Sequence, residues 1–307
     1  MAATARAIAK PVVRNLATDL DLSAEALVYV LELAAQIKRA PSRFNKTLAG
    51  RYIGMLFEKP SLRTRLTFEL AMKQLGGDAV WSVGPVDERE PVKDVARNLD
   101  RWTHGIVARV FSQSTIEELV RWAKVPVINA LSDLYHPCQA LADALTLQER
   151  FGELAGRKLA YVGDGNNVAH SLMFAATRLG MEVAVASPAG YAPNADIVTR
   201  AREYGNISVT EDVAAAVRGA DAVYTDVWTS MGQEAEAEER ARAFGPFQVN
   251  AGLLAKAKPG AIFMHCLPAK RGQEVTDDVI ESPRSTAFDQ AENRLHVQKA
   301  VLVTLLS

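Results

Sequence analysis

Short apolar stretches with strand character alternate with amphipathic helical stretches along nearly the whole chain, and the alternation stops and restarts once. Strands linked through helices are joined by crossovers, so they lie parallel in a sheet covered on both faces. A helix opens the pattern at Ser23, a capping residue with Glu25 in the first turn. Leu27, Val30, Leu31, Ala34 and Ile37 share one of its faces, and Pro41 stops it. Strands are expected at 52–57, 79–83, 105–111 and 125–130, with helices at 61–75, 92–102 and 115–123 between them. A long helix over 139–151 runs into Gly152 and Gly156, which mark a domain boundary. Strands at 159–163, 182–186, 208–210, 222–225 and 261–265 follow, with helices at 168–178, 195–204 and 251–257 and a closing helix over 292–306. The stretch 232–243, rich in Glu, Gln, Arg and Ala, reads as a polar mobile loop or a frayed helix.

A chain of 307 residues is long enough for two cores of ordinary size. Thirty-five basic residues stand against 36 acidic ones, and no basic stripe stands out, which argues against nucleic acid as a partner. No apolar run reaches the roughly 20 residues needed to cross a bilayer, so no membrane is expected. Cys138 and Cys266 are the only cysteines, too few for a disulfide framework, and a reducing, cytoplasmic setting follows as the expectation. The first 18 residues lack acids and contain Arg6, Lys10 and Arg14; they read as a flexible basic arm in preference to a targeting segment.

Five segments carry candidate chemistry, each just past a strand. In Ser61-Leu62-Arg63-Thr64-Arg65 a helix begins, so free backbone N–H groups, two hydroxyls and a guanidinium fork converge on one spot suited to a phosphate. In His136-Pro137-Cys138-Gln139, His136 and Gln139 stand at a helix mouth as donors to a carbonyl or phosphate oxygen, while Pro137 and Cys138 read as structural. Gly163-Asp164-Gly165-Asn166-Asn167 invites a dinucleotide reading. That reading fails, because Val168 takes the third glycine position and no acid ends the next strand. Asn167 remains suited to a carboxylate or an amine. Asp226 is an acid at a strand end, fit to hold a cationic amine. Cys266, in His265-Cys266-Leu267-Pro268, is a thiol able to orient an amine and take part in its deprotonation. Zinc at His265 and Cys266 is disfavoured, since no second ligand pair lies at metal spacing.

Together and in this order, these segments resemble the aspartate/ornithine carbamoyltransferase superfamily over nearly the whole chain. The resemblance implies two doubly wound parallel-sheet α/β domains with the active site in the cleft between them. It places a carbamoyl-phosphate-binding domain at 1–150, an ornithine-binding domain at 151–290, and the C-terminal helix, 291–307, back on the first. It carries carbamoyl phosphate contacts onto Ser61, Leu62 through its backbone, Arg63, Thr64, Arg109, His136, Gln139, Cys266, Leu267 and Arg294. Asp226-Val227-Trp228-Thr229-Ser230-Met231-Gly232 and His265-Cys266-Leu267-Pro268 look like the ornithine branch, with Asn167, Asp226, Ser230 and Met231 on ornithine. Cys266, Asp226, Arg109 and His136 would be catalytic. No metal and no cofactor are implied, and a homotrimer or a multiple of it is.

The expected reaction moves the carbamoyl group of carbamoyl phosphate to the δ-amine of L-ornithine, within arginine metabolism. The rivals are a carbamoyltransferase for N-acylated ornithine, putrescine or aspartate, and a non-catalytic binding protein on the same fold. Two positions depart from the family pattern. Leu62 replaces a threonine, and Pro85 falls where a glutamine often reaches carbamoyl phosphate. Either another residue of 85–89 reaches that ligand, or this chain does without the interaction.

Overall fold

A computed structural model describes residues 9–58, 61–230 and 234–307. In the first half, β1 (Tyr52–Phe57), β2 (Asp78–Val83), β3 (Gly105–Arg109) and β4 (Val127–Leu131) form a parallel sheet in the order β2-β1-β3-β4. The second half holds β5 (Lys158–Val162), β6 (Glu182–Ala186), β7 (Ile207–Thr210), β8 (Ala222–Thr225) and β9 (Ile262–His265), parallel and ordered β7-β6-β5-β8-β9. Both orders start near the middle and run outward on both sides, as right-handed crossovers require. The strand carboxyl ends of both sheets, where the candidate segments lie, face one cleft.

Helices cover the sheets: α1 (Ala24–Arg39), α2 (Leu62–Gln74), α3 (Val92–Trp102), α4 (Gln113–Trp122), α5 (Pro137–Phe151), α6 (Asn167–Arg178), α7 (Ala195–Arg202), α8 (Val213–Val217), α9 (Ala237–Phe244), α10 (Ala251–Leu254), α11 (Asp277–Ile280) and α12 (Ala287–Leu306). Ser23 caps α1 by accepting from the Ala26 N–H at 3.1 Å, and all five residues of its expected apolar face are buried. The last helix, α12, packs on α5, α1 and α2. Among the described residues no helix is long and apolar enough to cross a membrane.

Several local expectations need correction. The arm is not loose throughout: Leu16 is buried, donates to the Val127 carbonyl at 2.9 Å and accepts from the Asn129 N–H at 2.8 Å, extending the β4 edge. β4 starts at Val127 because the N–H groups of Lys124 and Val125 are held by the Asp100 carboxylate at 2.6 and 2.9 Å. The 232–243 stretch is neither loop nor frayed helix where it is described. Most of it is α9, anchored by buried Arg240 and Phe244. α12 begins at Ala287, five residues before the expected start at 292, because polar Gln290 and Asn293 are fully buried and disguise the apolar periodicity.

Candidate active site

A cavity of about 450 Å3 opens between the two sheets. Its walls include Ser61, Leu62, Arg63, Thr64, Arg109, His136, Gln139 and Arg294 on one side, and Asn167, Asp226, Ser230, Cys266 and Leu267 on the other. Every expected site residue is therefore at one place except Met231, which lies outside the described residues. None of residues 85–89 lines the cavity of its own chain.

The first wall is built on helix starts. Ser61 caps α2, accepting from the Thr64 N–H at 3.3 Å, so the free N–H groups of that first turn face the cavity. Leu62 is 72% exposed, and its side chain supplies no donor where the family pattern has a hydroxyl. Arg109 comes from the end of β3 and Arg294 from α12. Arg294 donates to the Gln139 side-chain oxygen at 2.6 Å and to the Thr64 hydroxyl at 2.9 Å. Arg109 is pushed down to about 10, first by burial, then by the neighbouring charges of Arg294 and Arg63. Burial likewise lowers Arg294. Among the described residues no carboxylate pairs with Arg63, Arg109 or Arg294, and Nε of Arg109 and of Arg294 are buried without partners. Converging buried cations are costly, and a multiply charged anion is the ligand that offsets them.

His136 sits at the head of α5. Burial, then Arg294 and Arg109, hold its imidazole well below the ordinary range, so it is neutral at physiological pH. Its buried Nδ1 has no hydrogen-bond partner among the described residues. Gln139 donates to Asp143 at 2.7 Å while accepting from Arg294, which leaves one amide hydrogen for a ligand. Asp143 was not anticipated as part of the site. It is fully buried, pushed up to about 6 by desolvation, and also accepts from Gln290 at 2.8 Å and Tyr224 at 3.1 Å. The available signal was its spacing of four from Gln139, one face of one helix.

The second wall is built on strand ends. The Cys266 thiol donates to Asp226 Oδ1 at 3.0 Å, and Asn166 donates to Asp226 Oδ2 at 2.9 Å. With the Val227 N–H at 2.8 Å, Asp226 accepts three hydrogen bonds from the described residues, leaving about one of its roughly four lone-pair sites among them. Burial, reinforced by the Asp226 charge, pushes the Cys266 thiol well up. It is a protonated donor, not a thiolate nucleophile. Leu267 holds φ 58°, a left-handed conformation that costs a non-glycine residue about 1–3 kcal/mol, and its N–H donates to His265 Nδ1 at 2.9 Å. Asn167 reaches across the cleft to the Ser132 carbonyl at 2.5 Å. Thr229 and Lys270 also line the cavity and carried no local signal.

Asp226, His265 and Cys266 place ligand-type atoms within 4.8 Å of one another, close enough for one cation. Both nitrogens of His265 are engaged, Nδ1 by Leu267 and Nε2 with Glu274 at 3.2 Å, so only two donors are left for an ion. The glycine loop also has a structural explanation. A Cβ on Gly165 would lie 2.1 Å from the Pro193 nitrogen, so its glycine serves close packing of two loops.

Residues 14–149 match the sequence profile of the aspartate/ornithine carbamoyltransferase carbamoyl-P binding domain, and 155–305 that of the Asp/Orn binding domain. An anabolic ornithine carbamoyltransferase of Pyrococcus furiosus is 50% identical over 95% of this chain and 96% of its own. The ornithine carbamoyltransferase of Thermus thermophilus is 55% identical over 90% and 91%. The solved P. furiosus structure superposes with a TM-score of 0.93 over 96% of this chain and 97% of that one, at 49% identity. An acetylornithine transcarbamylase complexed with acetylcitrulline gives 0.86 at 32% identity, over 95% and 99%.

Proposed function

Since the chain belongs to the aspartate/ornithine carbamoyltransferase family, we propose that it transfers the carbamoyl group of carbamoyl phosphate to the δ-amine of L-ornithine, giving L-citrulline and phosphate. The observation that carries this reading is the cavity itself: three arginines that no carboxylate among the described residues pairs with on one wall, and the Asp226–Cys266 pair on the other. One wall suits a phosphate, the other an ammonium, and the space between holds the bond that forms.

The phosphate of carbamoyl phosphate lies on the start of α2, against Ser61, the Leu62 N–H group, the Thr64 hydroxyl, Arg63 and Arg109. Arg109 and neutral His136 polarise the carbamoyl carbonyl, and Gln139 and the Leu267 region contact the carbamoyl amide. Asn167, Ser230 and Met231 hold the amino-acid end of ornithine, while Asp226 and Cys266 face its amine. The δ-ammonium, near pKa 10 in water, gives up one proton to solvent before attack. Its nitrogen then bonds to the carbamoyl carbon, and the tetrahedral intermediate expels phosphate as the C–O bond breaks. The second proton on nitrogen leaves with that phosphate, which the arginines neutralise. Fixing two substrates in attack geometry is worth about 7–11 kcal/mol in favourable cases.

Residues 1–150 together with 291–307 form the carbamoyl-phosphate side and 151–290 the ornithine side. A homotrimer, or a multiple of one, is the assembly proposed, and the exposed apolar side chains of Leu62, Leu66 and Leu70 on α2 and of Val80, Trp81 and Val83 on edge strand β2 support association between copies. The anabolic name of one relative supports a place in arginine synthesis.

The test is product formation from carbamoyl phosphate with ornithine, N-acetylornithine, putrescine and aspartate offered separately. Citrulline from ornithine alone is expected. Turnover only with another amine overturns the acceptor, and no turnover with any of them favours a non-catalytic binding protein.

A further inference from the structure

His136 must present its ring to the cavity, yet among the described residues that ring makes no hydrogen bond. Its direction depends on the backbone from which it springs. That backbone is held from behind. The His136 N–H donates to the Ser171 hydroxyl oxygen at 2.8 Å, and the Ser171 hydroxyl donates to Asp19 Oδ2 at 2.6 Å. Ser171 lies on α6 in the second half of the chain and is fully buried, while Asp19 belongs to the N-terminal segment and is 7% exposed. The Asp19 turn is itself fixed. Asp21 accepts from the N–H groups of Ala17 and Thr18 at 2.6 and 2.9 Å, and Arg178 donates to the Asp19 carbonyl at 2.7 Å.

We propose that Asp19 and Ser171 are positioning residues for His136, holding the head of α5, and so the imidazole, at the angle carbamoyl transfer needs. The inference rests on the role proposed above for His136. A buried backbone N–H needs an acceptor, but a neutral one suffices. A buried carboxylate behind that acceptor is more than satisfaction demands. It orders the hydroxyl, leaving the oxygen lone pairs for His136. Asp19 faces Arg178, Asp21 and the Tyr135 and Cys138 side chains as well as Ser171. Burial prevails over Ser171 and Arg178 and lifts its acid to about 6. Below that pH the carboxyl is protonated, Ser171 loses its charged acceptor, and the hold on His136 loosens. Asp143 and Asp164 are also held at about 6, so the informative quantity is the difference between wild type and an Asp19 variant.

Two measurements on the full chain test this. The first follows the assigned backbone amide resonance of His136 by NMR from pH 5 to 8. An inflection near 6 that disappears in Asp19→Asn, an isosteric change, is expected; no inflection, or one unchanged in the variant, overturns the proposal. The second is kinetics of Ser171→Ala. Its kcat should fall about tenfold, within the roughly hundredfold that 1 Å of misplacement costs, with the ornithine KM held within about twofold. A wild-type kcat overturns the proposal. If Ser171→Ala does not fold, Asp19→Asn decides, through loss of the step near pH 6 in its kcat profile. If the wild type transfers no carbamoyl group, the functional reading fails, while the amide titration still decides whether Asp19 holds His136.

Discussion

Replacing Arg109 with methionine should stabilise the ligand-free protein while crippling it. The side chain is 7% exposed and its guanidinium is pushed down from its ordinary value to about 10, by burial first and then by Arg294 and Arg63. At 1.36 kcal/mol per pH unit, holding that charge costs the folded chain about 3 kcal/mol. The sign follows from the direction. Below about 10 the arginine is charged both folded and unfolded, so the penalty is present in full at neutral pH and fades only as pH rises from about 10 to the ordinary guanidinium value. Methionine keeps most of the apolar stem and removes the charge. With roughly 2.1 cal/mol/K of unfolding entropy per residue, 307 residues give about 0.6 kcal/mol/K, so full relief raises Tm by about 5 °C. Losing a charged donor to the transition state should lower kcat/KM for carbamoyl phosphate by about 10²–10³. Thermal melting at fixed protomer concentration and pH 7.5, with and without phosphate, reads the first effect; citrulline formation reads the second. A lower Tm in the ligand-free variant, or a kcat/KM within about threefold of wild type, refutes the reasoning.

Other expectations rest on single side chains. Leu62→Thr restores a hydroxyl at an exposed position. It should lower the carbamoyl phosphate KM by about two- to tenfold, the worth of one hydrogen bond, with Tm nearly unchanged; an unchanged KM means the backbone N–H already suffices. Because burial and Asp226 raise the Cys266 thiol above its ordinary value of 9.0, alkylation by iodoacetamide at pH 7.5 should be far slower than for a free thiol and should accelerate only above that value. Rapid labelling of Cys266 at neutral pH would mean a thiolate sits there. Gly165→Ala places a methyl 2.1 Å from the Pro193 nitrogen, so the two loops must part. Melting should show a loss of more than about 2 kcal/mol, together with weaker ornithine binding through Asn166 and Asp226.

The Gly163-Asp164-Gly165 loop illustrates why a motif needs its surroundings. Its glycines match part of a nucleotide-binding pattern, but Gly165 is packed against 192–193 and Asp164 is paired with buried Arg240 at 2.9 Å. Arg240 also donates to the Trp228 carbonyl at 3.0 Å, tying that loop to the segment between Asp226 and Ser230. Burial raises Asp164 to about 6 against the pull of Arg240. None of this was legible locally, because Arg240 sits 76 residues from Asp164 in a polar stretch that reads as a loop or a frayed helix.

The amino-acid sequence by itself determined the parallel α/β architecture, most element bounds, and which residues stand at the strand carboxyl ends. Strand and helix periods are local, and in a parallel sheet those ends collect on one edge whatever the details of packing. Ser61, Asp226 and Cys266 were therefore legible as candidate site residues, whereas Arg109, inside a strand expected to run to 111, came only from the family resemblance. Only the tertiary structure decided what each acid and base does there. Arg294 meets Thr64 across 230 residues and Gln139 across 155, and the Asp143 network joins α5, β8 and α12. Protonation depends on desolvation and on the nearest charge, and both are set by segments far apart in the chain. For the same reason a neutral His136, a protonated Cys266 and the hold of Asp19 on α5 appear only once the chain is folded.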